Sequence, residues 1–168
     1  MNKIISKEQF SEKVFKLEIE APLIAKSRRA GHFMIVRVDE KGERMPLTIA
    51  GSDLNKGTIT LVVQTVGLSS TKLCNLQAGD YVLDVVGPLG QATHIQNYGT
   101  VVCAGGGVGV APMLPIIQAL KAAGNRVISV LAGRSKDLII LENEVRASSD
   151  EVIIMTDDGS YGTKGLVT

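Results

Sequence analysis

The chain of 168 residues is 45% hydrophobic and 21% charged, with a formal net charge of +1. This length can bury one sizeable core or two small ones, and the scattered basic residues exclude an electrostatic surface for nucleic acid. No run approaches the roughly 20 apolar residues of a membrane span, so we expect a protein without one.

Up to about Gly90, short apolar alternations are separated by turn residues, which is typical of β-structure. Strands are predicted at 15–19, 32–38, 44–50, 57–66 and 81–86, and a short helix at 69–76. Pro22 ends the first strand, and residues 39–42 form a hairpin turn. Many short strands with little helix predict a small antiparallel barrel or sandwich.

After Gly90 the pattern changes to alternating strands and helices. Strands are predicted at 98–104, 126–132 and 151–155, with helices at 110–123 and 138–145. This alternation indicates a parallel sheet with helical crossovers, so the fold class is all-β plus α/β. We place the domains at 1–95 and 96–168. Three parallel strands are few, and 166–168 resembles the start of a helix, so we expect the second domain to be incomplete at its C-terminal end.

A glycine-rich stretch lies between the first strand and the first helix of the second domain. It contains Gly105, Gly106, Gly107, Val108, Gly109 and Pro112. Residues without a β-carbon permit a sharp turn and close approach of a ligand, and free N–H groups at the helix start suit a phosphate. Proline replaces the third glycine of the GxGxxG pattern and fits the first helical turn. The alternative is a purely structural tight turn.

A barrel followed by a dinucleotide half-fold with a GxGxxP turn resembles the ferredoxin–NADP reductase superfamily. Segment 44–49 (Arg-Met-Pro-Leu-Thr-Ile) resembles its flavin motif. The resemblance implies that Arg44 pairs with the FAD pyrophosphate, that Pro46, Leu47 and Thr48 line the isoalloxazine, and that Ile49 belongs to the same site. A planar fork of donors suits phosphate, and the Thr48 hydroxyl near flavin N5 is the candidate catalytic group. The alternative is an edge-strand arginine beside a turn.

Segment 63–71 (Val-Gln-Thr-Val-Gly-Leu-Ser-Ser-Thr) resembles the superfamily's second flavin segment, a strand followed by a short helix. The resemblance implies that Val63 in the strand and Gly67, Ser69 and Ser70 at the helix start contact FAD, the last three at its phosphates. The alternative is an ordinary helix N-cap.

The nearest resemblance is to the electron-transfer subunits of dihydroorotate dehydrogenases and the small FAD subunit of NADH-dependent ferredoxin:NADP oxidoreductases, also called sulfide dehydrogenase β. Segments 42–50, 105–112, 133–139 and 156–162 carry it. It implies an FAD-dependent NAD(P)H oxidoreductase of the cytoplasm that passes hydride between NAD(P)H and FAD, and single electrons to an iron–sulfur centre or a partner subunit. A stand-alone NAD(P)H:flavin or quinone reductase and a truncated, non-catalytic FAD-binding module are the alternatives.

That subgroup also carries a [2Fe–2S] cluster, whose ligands this chain does not supply. Its two cysteines, Cys74 and Cys103, lie far apart in apolar surroundings. They form no CxxC pair, which favours a reducing compartment, and residues 1–5 lack the apolar region of a signal peptide. We therefore expect a cytoplasmic protein without a metal site of its own.

The nucleotide is less sharply defined by the sequence. An acidic residue after the second strand usually holds the ribose 2′-hydroxyl of NAD, whereas a basic residue suits NADP. Arg134 and Ser135 follow that strand and favour NADP, but Gly-Arg-Ser also occurs in NAD users of the superfamily. The resemblance to NADH enzymes leads us to expect NAD, with NADP as the alternative. Asp157 and Asp158 resemble residues near the nicotinamide pocket; otherwise they form a solvated turn.

Overall fold

The computed structural model describes residues 1–167, which form two compact units, Met1–Ala92 and a second that begins at Thr93. The strands of the first unit are β1 (Asn2–Ser11), β2 (Val14–Glu20), β3 (Phe33–Arg37), β4 (Met45–Thr48), β5 (Gly51–Asp53), β6 (Thr58–Gln64), β7 (Tyr81–Val82) and β8 (Asp84–Leu89). Its helices are α1 (Pro22–Ser27) and α2 (Leu68–Asn75). The strands form two antiparallel sheets, ordered β5-β6-β2-β1-β7 and β4-β3-β8.

One apolar core joins these two sheets. Alternate residues of β2 and β3 point into it, with Leu17, Ile19, Met34 and Val36 fully buried, because successive side chains of a strand face opposite sides. Leu73 of α2 packs into the same cluster. The predicted antiparallel barrel is therefore confirmed as a barrel-like pair of sheets.

The second unit is an α/β layer structure. Its elements are β9 (Thr100–Gly106), α3 (Val110–Ala122), β10 (Arg126–Gly133), α4 (Glu142–Ala147), β11 (Glu151–Thr156) and β12 (Thr163–Lys164), with 3-10 turns at Gly107–Gly109 and Lys136–Leu138. The strands are all parallel, in the order β12-β11-β10-β9. The predicted parallel sheet with crossovers is confirmed, with the short strand β12 in addition.

In the described part of the chain, helices pack on only one of the two faces of this parallel sheet. Helix α3 packs on β9 and β10 and also contacts α4, so both helices lie on one face, where Val127 and Leu131 are fully buried. On the opposite face, Val102 is 65% exposed, and Ala104 on the same strand and Ile153 on β11 are exposed too. No helix among residues 1–167 covers that second face.

Several elements depart from the predictions. The strand predicted at 44–50 is found as β4, which ends at Thr48, and it is followed by a strand that was not predicted, β5, which pairs with β6. The helix predicted at 138–145 begins only at Glu142, after Leu141 adopts a left-handed backbone with φ of 56°. Strand β1 and helix α1 were not predicted. Leu166 and Val167 lie in no helix, and Thr168, the last residue of that predicted helix start, lies outside the described residues. Within the described part of the chain, no helix is long and apolar enough to cross a membrane.

Candidate functional site

The residues of the first predicted flavin segment divide between the two faces of β4. Arg44 and Pro46 are exposed, and Thr48, on the same side of the strand, is half-buried. Leu47 packs against the core, and Ile49 is buried in it. The outward face therefore presents a guanidinium, a proline ring and a hydroxyl to a ligand, whereas Leu47 and Ile49 support this face from behind.

The second predicted segment leads into helix α2. The side chain of Val63 is buried in the core, so only its backbone is available to a ligand. Gly67 has an extended backbone, with φ of −160°, and a β-carbon there would meet no atom within 4 Å. The fold therefore does not require glycine at this position, and its surface is open to close approach of a ligand.

The two serines at the start of α2 have different partners. The Ser70 hydroxyl accepts hydrogen bonds from the backbone N–H groups of Val66 (3.0 Å) and Gly67 (3.1 Å), and so acts as part of the cap. The Ser69 hydroxyl donates to Glu43 Oε2 at 2.6 Å. This contact brings the residue that precedes Arg44 against the start of α2, so the two predicted flavin segments meet.

A pocket of about 190 Å³ opens at this meeting point. It is lined by Val38, Lys41, Gly42, Glu43, Leu68, Ser69 and Lys72. The Lys72 ammonium is paired with Asp39, and this hydrogen bond is the main reason why the pKa of Asp39 lies below its usual range. Leu68 in the pocket lining and Val66 two positions before it are 86% and 82% exposed.

Arg44 belongs to a row of charges across the three-stranded sheet. Its Nη2 lies 3.7 Å from Asp84 Oδ2, and the same oxygen accepts hydrogen bonds from Arg37 Nε (3.0 Å) and Nη2 (2.7 Å). Neither Arg37 nor Asp84 was identified from the sequence. In the sequence these two residues are distinguished only by their positions at strand ends, which are equally typical of an ordinary solvated ion pair.

These groups fit the pyrophosphate and ring of FAD. The Arg44 guanidinium is 54% exposed and offers a planar fork of donors, and the preceding residue, Glu43, contacts the start of α2 through Ser69. The exposed Val66 and Leu68 supply apolar surface of the kind that ring systems contact.

The glycines of the second unit serve three different needs. Gly107 has φ of 52°, which other residues rarely adopt. A β-carbon on Gly105 would lie 3.1 Å from Met113 Cε and 3.3 Å from Gly109 O, so glycine lets the turn and α3 pack closely here. A β-carbon on Gly106 would meet only Ala132 O at 3.8 Å, and one on Gly109 would meet nothing within 4 Å. Space is therefore left open at Gly106 and Gly109, as a phosphate-binding turn requires.

Helix α3 begins directly after this turn, at Val110. Val108 lies half-buried within the 3-10 turn, and Pro112 occupies the first turn of α3, as the sequence predicts. The helix is 13 residues long and starts at the carboxyl end of β9. Open parallel sheets bind ligands at this edge.

The loops after β10 and β11 meet at the same edge. The backbone N–H of Asp157 donates to Gly133 O at 3.1 Å, and that of Asp158 donates to Arg134 O at 3.2 Å. The exposed side chains of Arg134 and Asp157 are thus brought together at the carboxyl ends of neighbouring strands. Hydrogen bonds from Ser160 N to Asp158 Oδ1 (2.8 Å) and from the Ser160 hydroxyl hold the pKa of Asp158 below its usual range.

One residue of this edge was missed in the sequence. Asp137 stands four positions after the end of β10 and accepts a hydrogen bond from the Ser135 hydroxyl at 2.5 Å. An acidic side chain after the second strand is the usual partner of the NAD ribose. The sequence shows this carboxylate shortly after the predicted strand, although only Arg134 and Ser135 were predicted to choose the nucleotide.

The cysteines do not fit an iron–sulfur cluster. Cys74 is buried in the first unit, where burial raises the pKa of its thiol to about 11. Cys103 lies half-buried in β9 of the second unit, and burial raises the pKa of this thiol as well. Such clusters need about four ligands, usually cysteines, and the chain has two. No cluster of three or more metal-ligating side chains occurs in residues 1–167.

Comparison with known proteins gives consistent matches. The model of the oxidoreductase FAD-binding domain matches residues 2–94. The chain is 46% identical, over its whole length, to a Thermotoga maritima protein named dihydroorotate dehydrogenase B (NAD(+)), electron transfer subunit homolog. It is 33% identical, over 99% of its length, to the electron transfer subunit of dihydroorotate dehydrogenase B from Streptococcus pneumoniae serotype 4, of which it covers 67%.

A solved structure of NADH-dependent reduced ferredoxin–NADP oxidoreductase superposes on 99% of the chain, with a TM-score of 0.95 and 43% identity. The chain covers 60% of that structure and 59% of the Thermotoga relative, so it spans about three fifths of each of these two proteins.

Proposed function

The chain belongs to the oxidoreductase FAD-binding domain family, within the ferredoxin–NADP reductase superfamily, and from this premise we propose that it is a flavin-dependent electron-transfer module. Its reaction would pass hydride between NAD(P)H and FAD and deliver single electrons to an iron–sulfur centre or partner subunit. When bound, FAD supplies the step between two-electron and one-electron chemistry. The chain's own task is to bind and orient.

In the first unit, Arg44 and the N–H groups that begin α2 would hold the FAD pyrophosphate. The positive end of the helix dipole and a charged fork of donors both favour an anion there. Pro46 and Thr48 share the outward face of β4 with Arg44 and would lie against the ring system. The Thr48 hydroxyl can donate to a ring nitrogen or accept from it, and so orient the ring without itself gaining or losing a proton.

In the second unit, the open turn at Gly106 and Gly109 would receive the pyrophosphate of the nicotinamide nucleotide. Arg134 and Asp157 stand at the same sheet edge and would contact the rest of the nucleotide. We propose NAD as the nucleotide, because Asp137 offers a carboxylate to the ribose hydroxyls and the relatives carry NAD(+) in their names. NADP is the alternative, favoured by the cationic Arg134.

An electron-accepting partner is proposed from the names of the relatives and from the cysteine content of the chain. The relatives are named as electron transfer subunits, and two separated cysteines cannot hold an iron–sulfur cluster. We propose that electrons leave to a centre carried by a partner subunit or by a segment outside these 168 residues. No step of that transfer is assigned to a residue of this chain.

The observation that carries the proposal is the exposed Arg44 guanidinium, whose neighbour Glu43 contacts the start of α2 through Ser69. The test compares FAD affinity of the wild type with that of Arg44→Ala, using Arg126→Ala as the matched control. Arg126 is also exposed and ion-paired, with Glu151 at 3.4 Å, but lies in the second unit. We expect Arg44→Ala to weaken FAD binding by about tenfold or more, and Arg126→Ala to leave it unchanged.

Anaerobic addition of NADH to the FAD-loaded wild type tests the proposed hydride transfer and single-electron delivery. Bleaching of the flavin absorption supports hydride transfer, and subsequent reduction of ferricyanide, a one-electron acceptor, supports single-electron delivery. A chain that binds no FAD, or an Arg44→Ala variant with undiminished FAD affinity, would contradict the flavin assignment. FAD that stays oxidised under excess NADH would restrict the chain to flavin binding.

A further inference from the structure

Three charged side chains form a row across the sheet β4-β3-β8. Arg37, on the central strand, is the register partner of Asp84 on β8. On its other side, Val36 pairs with Met45, which places Arg44 next to Arg37. Two like charges side by side on neighbouring strands repel each other, so this arrangement needs an anion to stabilise it.

Asp84 is that anion, but it contacts Arg37 much more closely than Arg44. Its Oδ2 accepts two hydrogen bonds from Arg37, at 3.0 and 2.7 Å, whereas Arg44 Nη2 lies at 3.7 Å. The first contact is a tight ion pair, but the second is too long for a hydrogen bond. Asp84 therefore attracts the Arg44 guanidinium without occupying its donors, which leaves them available to a ligand.

We propose that Asp84 is a positioning residue for FAD: it holds Arg44 in the orientation that binds the pyrophosphate, and Arg37 cancels its charge. This inference rests on the proposed function of Arg44. A free arginine side chain populates many rotamers, and binding must select one of them. Restricting Arg44 before FAD arrives lowers that entropic penalty.

Arg37 is what makes an acidic residue tolerable beside a diphosphate. An unpaired carboxylate at this distance from Arg44 would repel the ligand and compete with it for the guanidinium. Because Arg37 donates twice to the same oxygen, the pair presents little net charge to the ligand. The row then carries one positive charge in excess, on Arg44, where the pyrophosphate is to bind.

The test is a double-mutant cycle on FAD affinity with wild type, Asp84→Asn, Arg44→Ala and the double variant. Asparagine keeps the shape of Asp84 and removes its charge. We expect Asp84→Asn to weaken FAD binding about three- to tenfold in the wild-type background, which corresponds to part of the rotamer entropy of an arginine. In the Arg44→Ala background it should cause no further loss, because there is no guanidinium left to position.

Glu8→Gln is the matched control, since Glu8 forms an exposed ion pair with Lys16 (3.3 Å) on another sheet of the same unit. It should leave FAD affinity unchanged. In 31P spectra of bound FAD, Asp84→Asn should shift the pyrophosphate resonances, whereas Glu8→Gln should not. A role limited to sheet stability would lower the melting temperature and leave these resonances in place.

A second variant, Arg37→Gln, tests the inference independently in case Asp84→Asn does not fold. Arg37→Gln leaves the Asp84 charge uncancelled and should weaken FAD binding, and adding Asp84→Asn to it should restore part of the affinity. Equal losses from Asp84→Asn with and without Arg44, or tighter FAD binding in Asp84→Asn, would overturn the inference. Undiminished FAD affinity of Arg44→Ala would instead overturn the proposed function, and the two failures are therefore distinguishable.

Discussion

The substitution Gly109→Ala is expected to weaken nucleotide binding while leaving the fold intact. Gly109 adopts φ of −64° and ψ of −14° directly before α3, a conformation that alanine prefers. An added β-carbon would meet no atom within 4 Å. The fold therefore gives no reason for glycine at this position, and we predict that the open space beside it receives the nucleotide.

The two expected effects have opposite signs. Replacing a glycine by alanine at a compatible backbone position stabilises a protein by about 0.4–1 kcal/mol, because the unfolded chain loses conformational freedom. For a chain of this size the melting temperature should rise by about 1–4 °C. The same methyl group blocks a backbone N–H from a phosphate, and one charge-assisted hydrogen bond is worth about 1.5–3 kcal/mol. NADH affinity should fall about 10- to 150-fold.

The assay measures the NADH concentration that half-saturates the rate of flavin bleaching in the FAD-loaded protein, paired with thermal unfolding of the same samples. Gly51→Ala is the matched control, since its β-carbon would make only an ordinary contact, 3.5 Å from Thr60 Oγ1 in the first unit. It should leave NADH affinity unchanged. A folded Gly109→Ala protein with wild-type affinity for NADH would refute the reasoning, as would a loss of stability without a loss of affinity.

Three further predictions concern charge and protonation. Glu43→Gln should tighten FAD binding about two- to fivefold, because the carboxylate that accepts from Ser69 at 2.6 Å stands where a phosphate is expected; titration with FAD checks this. A hydrogen bond from Lys121 lowers the pKa of Asp150. The ion pair between them therefore stabilises the fold above about pH 4, and this stabilisation is lost as pH falls through the folded-state pKa of Asp150. Acid unfolding of Asp150→Asn should therefore show a shallower loss of stability below about pH 4. The pKa of Cys74 is raised to about 11, so its thiol should stay unreactive toward iodoacetamide at neutral pH in the folded protein and react after denaturation, as mass spectrometry would show.

Local patterns were sufficient to predict the elements that carry the two binding turns. The 3-10 turn Gly107–Gly109 and helix α3 follow β9 where the glycines and the apolar periodicity require. Helix α2 begins one residue before its predicted start. These features depend on neighbours within a few positions of the chain, and such neighbours are visible in a sequence.

Features that depend on distant pairing were missed. Strand β1 has register shifts between Ile4 and Ser6 and again between Gln9 and Ser11, so its alternation is interrupted. The charge row was missed for a related reason, because Arg37 and Asp84 are 47 positions apart and meet only through strand register. Sequence alone identifies the residue that meets the ligand more readily than the residues that hold it in place.

The uncovered face of the parallel sheet has a practical consequence for the behaviour of this chain in solution. Val102 on β9 and Ile153 on β11 are exposed apolar side chains on this face, on either side of β10, and exposed apolar surfaces promote self-association. Attraction between two such surfaces is apolar, so it should persist in salt and weaken on cooling. Concentrated samples are therefore expected to cloud on warming, and dilute, cold samples to stay dispersed.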